Sequence, residues 1–318
     1  MRIAVFGTGG VGGYFGGRLA MAGNDVTFIA RGAHLAALRR DGLTVESANG
    51  TIRVQPAQAT DDPATIGPVD LVMLCVKLWD TEGAVAALPP LLGPDTAVVS
   101  FQNGIEAVPV LTAGLKGTAA HVLGGVAQIA AAIERPGVIR HTGTLARLLV
   151  GETGGTAEQP RAAAIVATMQ AAGIDALLSS DIGTAIWEKF VFLASFSGMT
   201  ALTRLPKGPI TAEPATRAMF AAAIGEACAV AQARGAALAP DHAERAMARL
   251  EKQLPAEMKS SMLVDLENGR RLELPWLSGA VVRLGEAAGV ATPVHAAIAA
   301  ALAPYAQGRP QPAAAAAG

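Results

Sequence analysis

The sequence predicts an α/β chain of two domains, an N-terminal doubly wound domain on a parallel sheet followed by a C-terminal all-α domain. Three observations carry this expectation. The 318 residues exceed one ordinary domain and suit two. From Met1 to about Val150, short apolar β-rich runs alternate with Ala- and Gly-rich helical stretches, the rhythm of β-α-β units. After Asp181 the β-rich runs stop and long segments of helical spacing take over. The expected division is 1–180 for the sheet domain, 181–307 for the helical domain and 308–318 for a tail, GRPQPAAAAAG, whose low complexity predicts disorder.

The clearest strands are Ile3–Phe6, Val26–Ala30, Leu71–Val76 and Ala97–Phe101. Val138–His141 and Leu145–Gly151, joined through Thr142 and Gly143, read as a hairpin that extends the sheet, and Arg161–Ala171 as a crossover helix. Helices are expected over Ile182–Leu205, Ala215–Arg234, Asp241–Gln253, Leu277–Ala288 and Val294–Ala303, punctuated by Pro206, Pro209, Pro240, Pro255 and Pro293.

Composition narrows the function. The net charge is −1 and both signs are mixed along the chain, which gives no footprint for nucleic acid or anionic lipid. Half the residues are hydrophobic, yet no run reaches the roughly 18 to 20 apolar residues of a membrane span. Arg2 leads directly into a strand-like run without the pattern of a secretory signal, so the cytoplasm is the expected address. The two cysteines, Cys75 and Cys228, sit in apolar segments and are expected as free thiols. The five histidines are scattered, and no metal site is expected. Oligomeric state is not legible, although the Ala-rich helices of the second domain leave a homodimer open.

The first strand runs straight into Gly7-Thr8-Gly9-Gly10-Val11-Gly12, with a helix-like stretch (Gly13 to Ala22) and a second strand behind it. That is the glycine fingerprint of Rossmann-type dinucleotide-binding domains in its proper context. Gly7 is needed for the tight turn, Gly9 for backbone approach to a pyrophosphate and Gly12 for close helix-strand packing. The helix N-terminus then offers N–H groups to phosphate. An NAD site usually carries Asp or Glu at the end of the second strand; this chain carries Arg31, which suits the 2′-phosphate of NADP(H). His34, Arg39 and Arg40 are further candidates for positive potential there.

Lys77 and Asn103 follow apolar strands whose C-terminal ends should face a cofactor crevice. A solvated lysine and an ordinary Asn-Gly turn are the alternatives. Lys189 lies among Trp187, Phe190, Val191, Phe192 and Leu193, so its amine is expected at the edge of a buried surface, with a lowered pKa. A lysine over a ketone oxygen can stabilise the alkoxide made by hydride delivery and supply its proton.

Beyond the fingerprint, four motifs resemble the ketopantoate reductase (2-dehydropantoate 2-reductase) family. They are Val76-Lys77, Gln102-Asn103-Gly104, Trp187-Glu188-Lys189, and Ser260-Ser261-Met262 followed by Asp265, Gly269-Arg270 and Glu273. The resemblance implies Lys189 as general acid and Glu273, twelve residues after Ser261, as the carboxylate at the substrate hydroxyl and cofactor. It implies Ser261 at the substrate carboxylate, Asn103 at both ligands, Lys77 at the nicotinamide end, and Ala130 in the cofactor set. Asp265 and Arg270 are expected to fix their segment.

The match is incomplete. At the fourth and eighth positions after the lysine the family carries asparagines that line the substrate pocket; here Leu193 and Ser197 stand on that helix face. The asparagine usual in the following loop falls on Lys207, which could restore an anion contact or be solvated. The expected function is NADPH-dependent reduction of a small 2-oxo acid, ketopantoate to pantoate for pantothenate and coenzyme A synthesis. The alternative is a related NADP-dependent 2-oxo acid reductase or hydroxy acid dehydrogenase with a different substrate. A remote alternative is a non-catalytic NADP-binding sensor.

Overall fold

Alternating side chains along the first strand go to opposite faces of a sheet, and both faces are covered. A computed structural model describes residues 1–116, 121–153 and 159–310. It divides into two compact units, Met1–Ile186 and Trp187–Gly318.

In the first unit, β1 (Arg2–Phe6), α1 (Gly10–Met21), β2 (Asp25–Ile29) and α2 (Gly32–Asp41) are followed by three short strands, β3 (Leu43–Glu46), β4 (Ile52–Val54) and β5 (Gln58–Thr60). Then come β6 (Leu71–Leu74), α3 (Thr81–Ala86), β7 (Ala97–Ser100), α4 (Ala107–Gly114), β8 (His121–Arg135), β9 (Val138–Glu152), α5 (Pro160–Ala171) and β10 (Asp175–Leu178). The sheet order is β4-β3-β9-β8-β7-β6-β1-β2-β5, with β10 beside β9. The stretch β8-β7-β6-β1-β2-β5 is parallel throughout, and β8–β9 and β3–β4 are antiparallel. Ile3 and Val5 pack with Tyr14, Phe15 and Leu19 of α1 on one face. Ala4 and Phe6 pack with Ala84, Val85 and Leu111 on the other. The expected Rossmann-like fold is present.

Two expectations about the sheet need correction. The segments Val138–His141 and Leu145–Gly151 are one strand, β9, whose hairpin partner is β8. The turn is Pro136-Gly137, where Gly137 adopts φ 81°, and not Thr142-Gly143. Thr142–Leu145 is instead an excursion within β9: Ala131 pairs with His141 and Ile129 with Ala146, so β9 carries extra residues at this point. A hydrogen bond between His141 Nε2 and the Leu145 carbonyl closes the excursion at 3.0 Å.

The division between units falls inside a helix, α6 (Ile182–Thr203). The second unit continues with α7 (Lys207–Ala212), α8 (Pro214–Ala233), α9 (His242–Gln253), α10 (Ser261–Glu267), α11 (Ser278–Ala288) and α12 (Pro293–Leu302). α8 packs against α7, α9, α11 and α12, and its Phe220 stacks on Phe196 of α6. α6 stops where Arg204 turns left-handed (φ 57°), ahead of Pro206. Of the tail expected to be disordered, Gly308 and Arg309 are held: the Arg309 N–H donates to Gly269 O at 3.2 Å. Residues 311–318 lie outside the described residues. Among the described residues no helix is long and apolar enough to cross a membrane.

Candidate active site

Parallel pairing of β2, β1 and β6 brings their C-terminal ends out on one side of the sheet, and the glycine loop starts there. Gly7 turns at φ 100°, and a Cβ on it would come 2.7 Å from the backbone N of Val76. Its N–H and that of Thr8 both donate to Ile29 O, at 3.2 and 3.1 Å, and the Thr8 hydroxyl adds a third bond to the same carbonyl at 3.1 Å. Gly12 faces Gly7 O and Val5, and any Cβ would strike both. Gly10 is excluded from carrying a Cβ by Ala131 of β8. Gly9, the N-cap of α1, is different. A Cβ there would meet no protein atom within 4 Å. Folding therefore does not demand a glycine at position 9, whereas backbone approach by a ligand does. The first turn of α1 holds Val11 and no acidic residue, so its N–H groups face no competing carboxylate. These residues fit a dinucleotide pyrophosphate.

Arg31 is the N-cap of α2, directly after β2, with its side chain 74% exposed. It pairs with Asp80 at 3.0 Å. Arg39 is held by Asp61 and the Ala59 carbonyl, and Arg40 by Asp41. His34 accepts from the Gly137 N–H through Nδ1, and burial lowers its pKa, so it is neutral at pH 7. Of the basic candidates at this strand end, Arg31 alone reaches toward the β6 end.

Lys77 begins the turn after β6, exposed, with its ammonium 5.6 Å above the Trp79 ring. Gln102 ties that turn down: its amide nitrogen donates to Val76 O at 3.1 Å and to the Thr81 hydroxyl at 2.8 Å. Asn103 is half-buried in the next turn, followed by Gly104 at φ 81°. Ala130 is exposed and sits at the register shift of β8, beside the Ala131 that closes on Gly10.

In the helical unit, burial brings the Lys189 amine down to about 8, and the nearby carboxylate of Glu273 opposes the shift. Glu273 is 5% exposed, at the entry to the 3₁₀ turn Leu274–Trp276. The structure thus brings these two candidates within electrostatic reach of each other from segments 84 residues apart. Ser197, two turns along α6 from Lys189, is fully buried, and its hydroxyl has no hydrogen-bond partner. An orphaned buried hydroxyl is a rarity that a ligand or a water resolves. Leu193, between them, is half-buried.

Ser260 caps α10 by accepting from the Leu263 N–H and also bonds the Thr200 hydroxyl at 2.6 Å. Ser261 is exposed at the first position of that helix. Asp265 and Arg270 pair at 3.7 Å, fixing the turn after it. Lys207, expected at an anion contact or in solvent, is not solvated. It is 6% exposed, and its amine donates to Glu251 O at 2.9 Å, capping the end of α9. A single turn of chain cannot show that pairing, because Glu251 is remote in sequence.

Sequence reasoning passed over two residues. Asp80 carries no local mark of its pairing with Arg31. Ser278, at the start of α11, has a fully buried hydroxyl without a partner, packed against Gly198 beside Ser197. Among the described residues no group of His, Cys, Asp and Glu could hold a metal ion, and Cys75 and Cys228 are free thiols.

Comparison with known proteins identifies the family. The family model "Ketopantoate reductase PanE/ApbA" matches residues 3–155, and "Ketopantoate reductase PanE/ApbA C terminal" matches residues 181–306. The chain is 33% identical to a 2-dehydropantoate 2-reductase of Halobacterium salinarum, over 92% of this chain and 95% of that protein. It is 32% identical, with the same coverage, to an uncharacterized oxidoreductase, YkpB, of Bacillus subtilis. The crystal structure of a PanE/ApbA family ketopantoate reductase from Ralstonia eutropha superposes with a TM-score of 0.86 at 32% identity, covering 96% of this chain and 98% of that one. The two matched segments and the relatives at 32–33% identity make this chain a member of the ketopantoate reductase family, oxidoreductases acting on CH–OH groups.

Proposed function

We propose that the protein is a cytoplasmic NADPH-dependent reductase of a small 2-oxo acid, with ketopantoate to pantoate as the first reaction to assign. The observation that carries this reading is the buried Lys189 amine, brought down to about 8, within electrostatic reach of the buried carboxylate of Glu273. Bound at this site, NADPH would supply a hydride to the C2 carbonyl, which becomes an alkoxide. At neutral pH Lys189 is an ammonium, so it stabilises the oxygen as charge builds and gives it a proton to leave the hydroxyl group. Glu273 holds the ammonium in place and accepts a hydrogen bond from the new hydroxyl. Gly9 and the first turn of α1 receive the pyrophosphate, Arg31 the 2′-phosphate, and Lys77, Asn103 and Ala130 complete the nucleotide site.

On the substrate side, Asn103, Ser197, Ser261 and Glu273 are the polar groups assigned to the 2-oxo acid. Lys207 keeps a place only if its α9 cap opens. A second reading retains the reaction and changes the acid. Leu193 favours it, because an alkyl group stands where the family carries an amide, and a site built around fewer polar partners prefers a less hydroxylated substrate. Steady-state NADPH oxidation with ketopantoate beside a panel of branched and aromatic 2-oxo acids separates the two. Highest kcat/KM on ketopantoate supports the first reading, and a higher value on an acid lacking the hydroxyl supports the second. No turnover with any of them overturns both.

A further inference from the structure

We propose that Asp80 is a specificity-determining residue of the nucleotide site, which opposes Arg31 and makes the site accept NADH as well as NADPH. This rests on the nucleotide reading of the preceding subsection and deepens it.

Asp80 stands at the N-cap of α3 but makes no side-chain cap hydrogen bond to that helix. Its carboxylate goes instead to Arg31, at 3.0 Å. The two residues come from the ends of β6 and β2, which flank β1 and its glycine loop on either side. Dinucleotide sites that take NAD place a carboxylate at the end of the second strand, where it accepts from the ribose hydroxyls, and those that take NADP place a cation there. This chain has the cation just after the second strand and brings the carboxylate in from the sixth residue after β6. Both recognition chemistries therefore meet at one place.

The other basic candidates at the β2 end do not tip the balance toward phosphate. Arg39 and Arg40 are engaged by Asp61 and Asp41, and His34 is neutral at pH 7. A 2′-phosphate must displace Asp80 from Arg31 or stand beside it with like charge, both of which weaken binding. A free 2′,3′-diol meets no such penalty, because Asp80 accepts its hydrogen bonds while Arg31 stays paired. The pair is largely open to solvent, with side-chain exposures of 74% and 31%, so the effect is a bias rather than an exclusion.

The test is the dissociation constant of NADPH and of NADH, read by nicotinamide fluorescence on the full chain, for wild type, Asp80→Asn and Arg31→Ala. Asp80→Asn keeps side-chain size, and the position is half-buried, so the fold tolerates it. The expected result is a wild-type preference for NADPH within about tenfold. Asp80→Asn should raise that preference by roughly fivefold to tenfold, with most of the gain in tighter NADPH binding. Competition by 2′,5′-ADP against 5′-AMP on the same proteins gives a second readout that needs no nicotinamide chemistry and should shift by the same factor. An unchanged ratio in Asp80→Asn, alongside a loss of NADPH binding in Arg31→Ala, overturns the role of Asp80 and leaves the reductase reading standing. If wild type binds neither nucleotide, both fall.

Discussion

At the scale of single residues, the chemistry turns on the balance acting on Lys189. Burial lowers the amine's pKa to about 8, and the carboxylate of Glu273 acts against that shift. In the direction of reduction the protonated form is the active one. The kcat/KM for the 2-oxo acid should therefore be flat below about pH 8 and fall tenfold per unit above it. Glu273→Gln removes the opposing charge while keeping the shape, so the alkaline limb should move to lower pH, with a reduced plateau. A limb left in place in Glu273→Gln would mean that the two groups are not coupled. Neither residue's role was legible from composition or periodicity. Lys189 looked like any lysine at an apolar edge and Glu273 like any helix-entry carboxylate, and only the motif resemblance joined them. Asp80 and Ser278 had no such help, because the pairing of Asp80 and the burial of Ser278 are made by segments remote in sequence.

At the scale of elements, β1, α1 and β2 form a unit in which each glycine has a separable task. The structure makes the separation testable. Gly12→Ala drives a methyl into Gly7 O and Val5, and should cost about 2 kcal/mol or more of stability. Gly9→Ala adds a methyl to open space at φ −82°, an ordinary backbone for alanine, so the melting temperature should hold while nucleotide affinity falls more than about tenfold. Thermal melts and nucleotide titrations on both variants check this, and equal loss of affinity without loss of stability in Gly12→Ala would contradict it. This unit was readable in advance because an apolar run, a glycine pattern and a helix follow one another within a few turns. The β8–β9 hairpin was not. Gly143 beside Thr142 resembles a turn, and nothing local reveals that the strand resumes its pairing with β8 after Thr142–Leu145. β3, β4 and β5, of three or four residues each, are too short to show a period.

For the whole molecule, the acidic limit of stability has an identifiable contributor in the helical unit. His295 is fully buried, with Nε2 bonded to Ala223 O and Nδ1 without a partner, and burial holds its pKa at about 4. The folded pKa lies below the unfolded value of about 6.5, so the native state binds fewer protons. The stabilisation is complete above pH 6.5 and is lost as pH falls toward 4, amounting to about 3 kcal/mol from this group. Denaturant unfolding at pH 7 and pH 4.5 should show a larger acid loss in wild type than in His295→Gln; equal losses would remove His295 from the account.

The central claim is that this fold reduces a 2-oxo acid with Lys189 as the proton donor, and one measurement tests it most directly. NADPH oxidation with ketopantoate should be catalysed by wild type, and Lys189→Ala should lose at least about a thousandfold in kcat/KM while binding NADPH as before. Undiminished turnover in Lys189→Ala, or none in wild type with any 2-oxo acid, would contradict it.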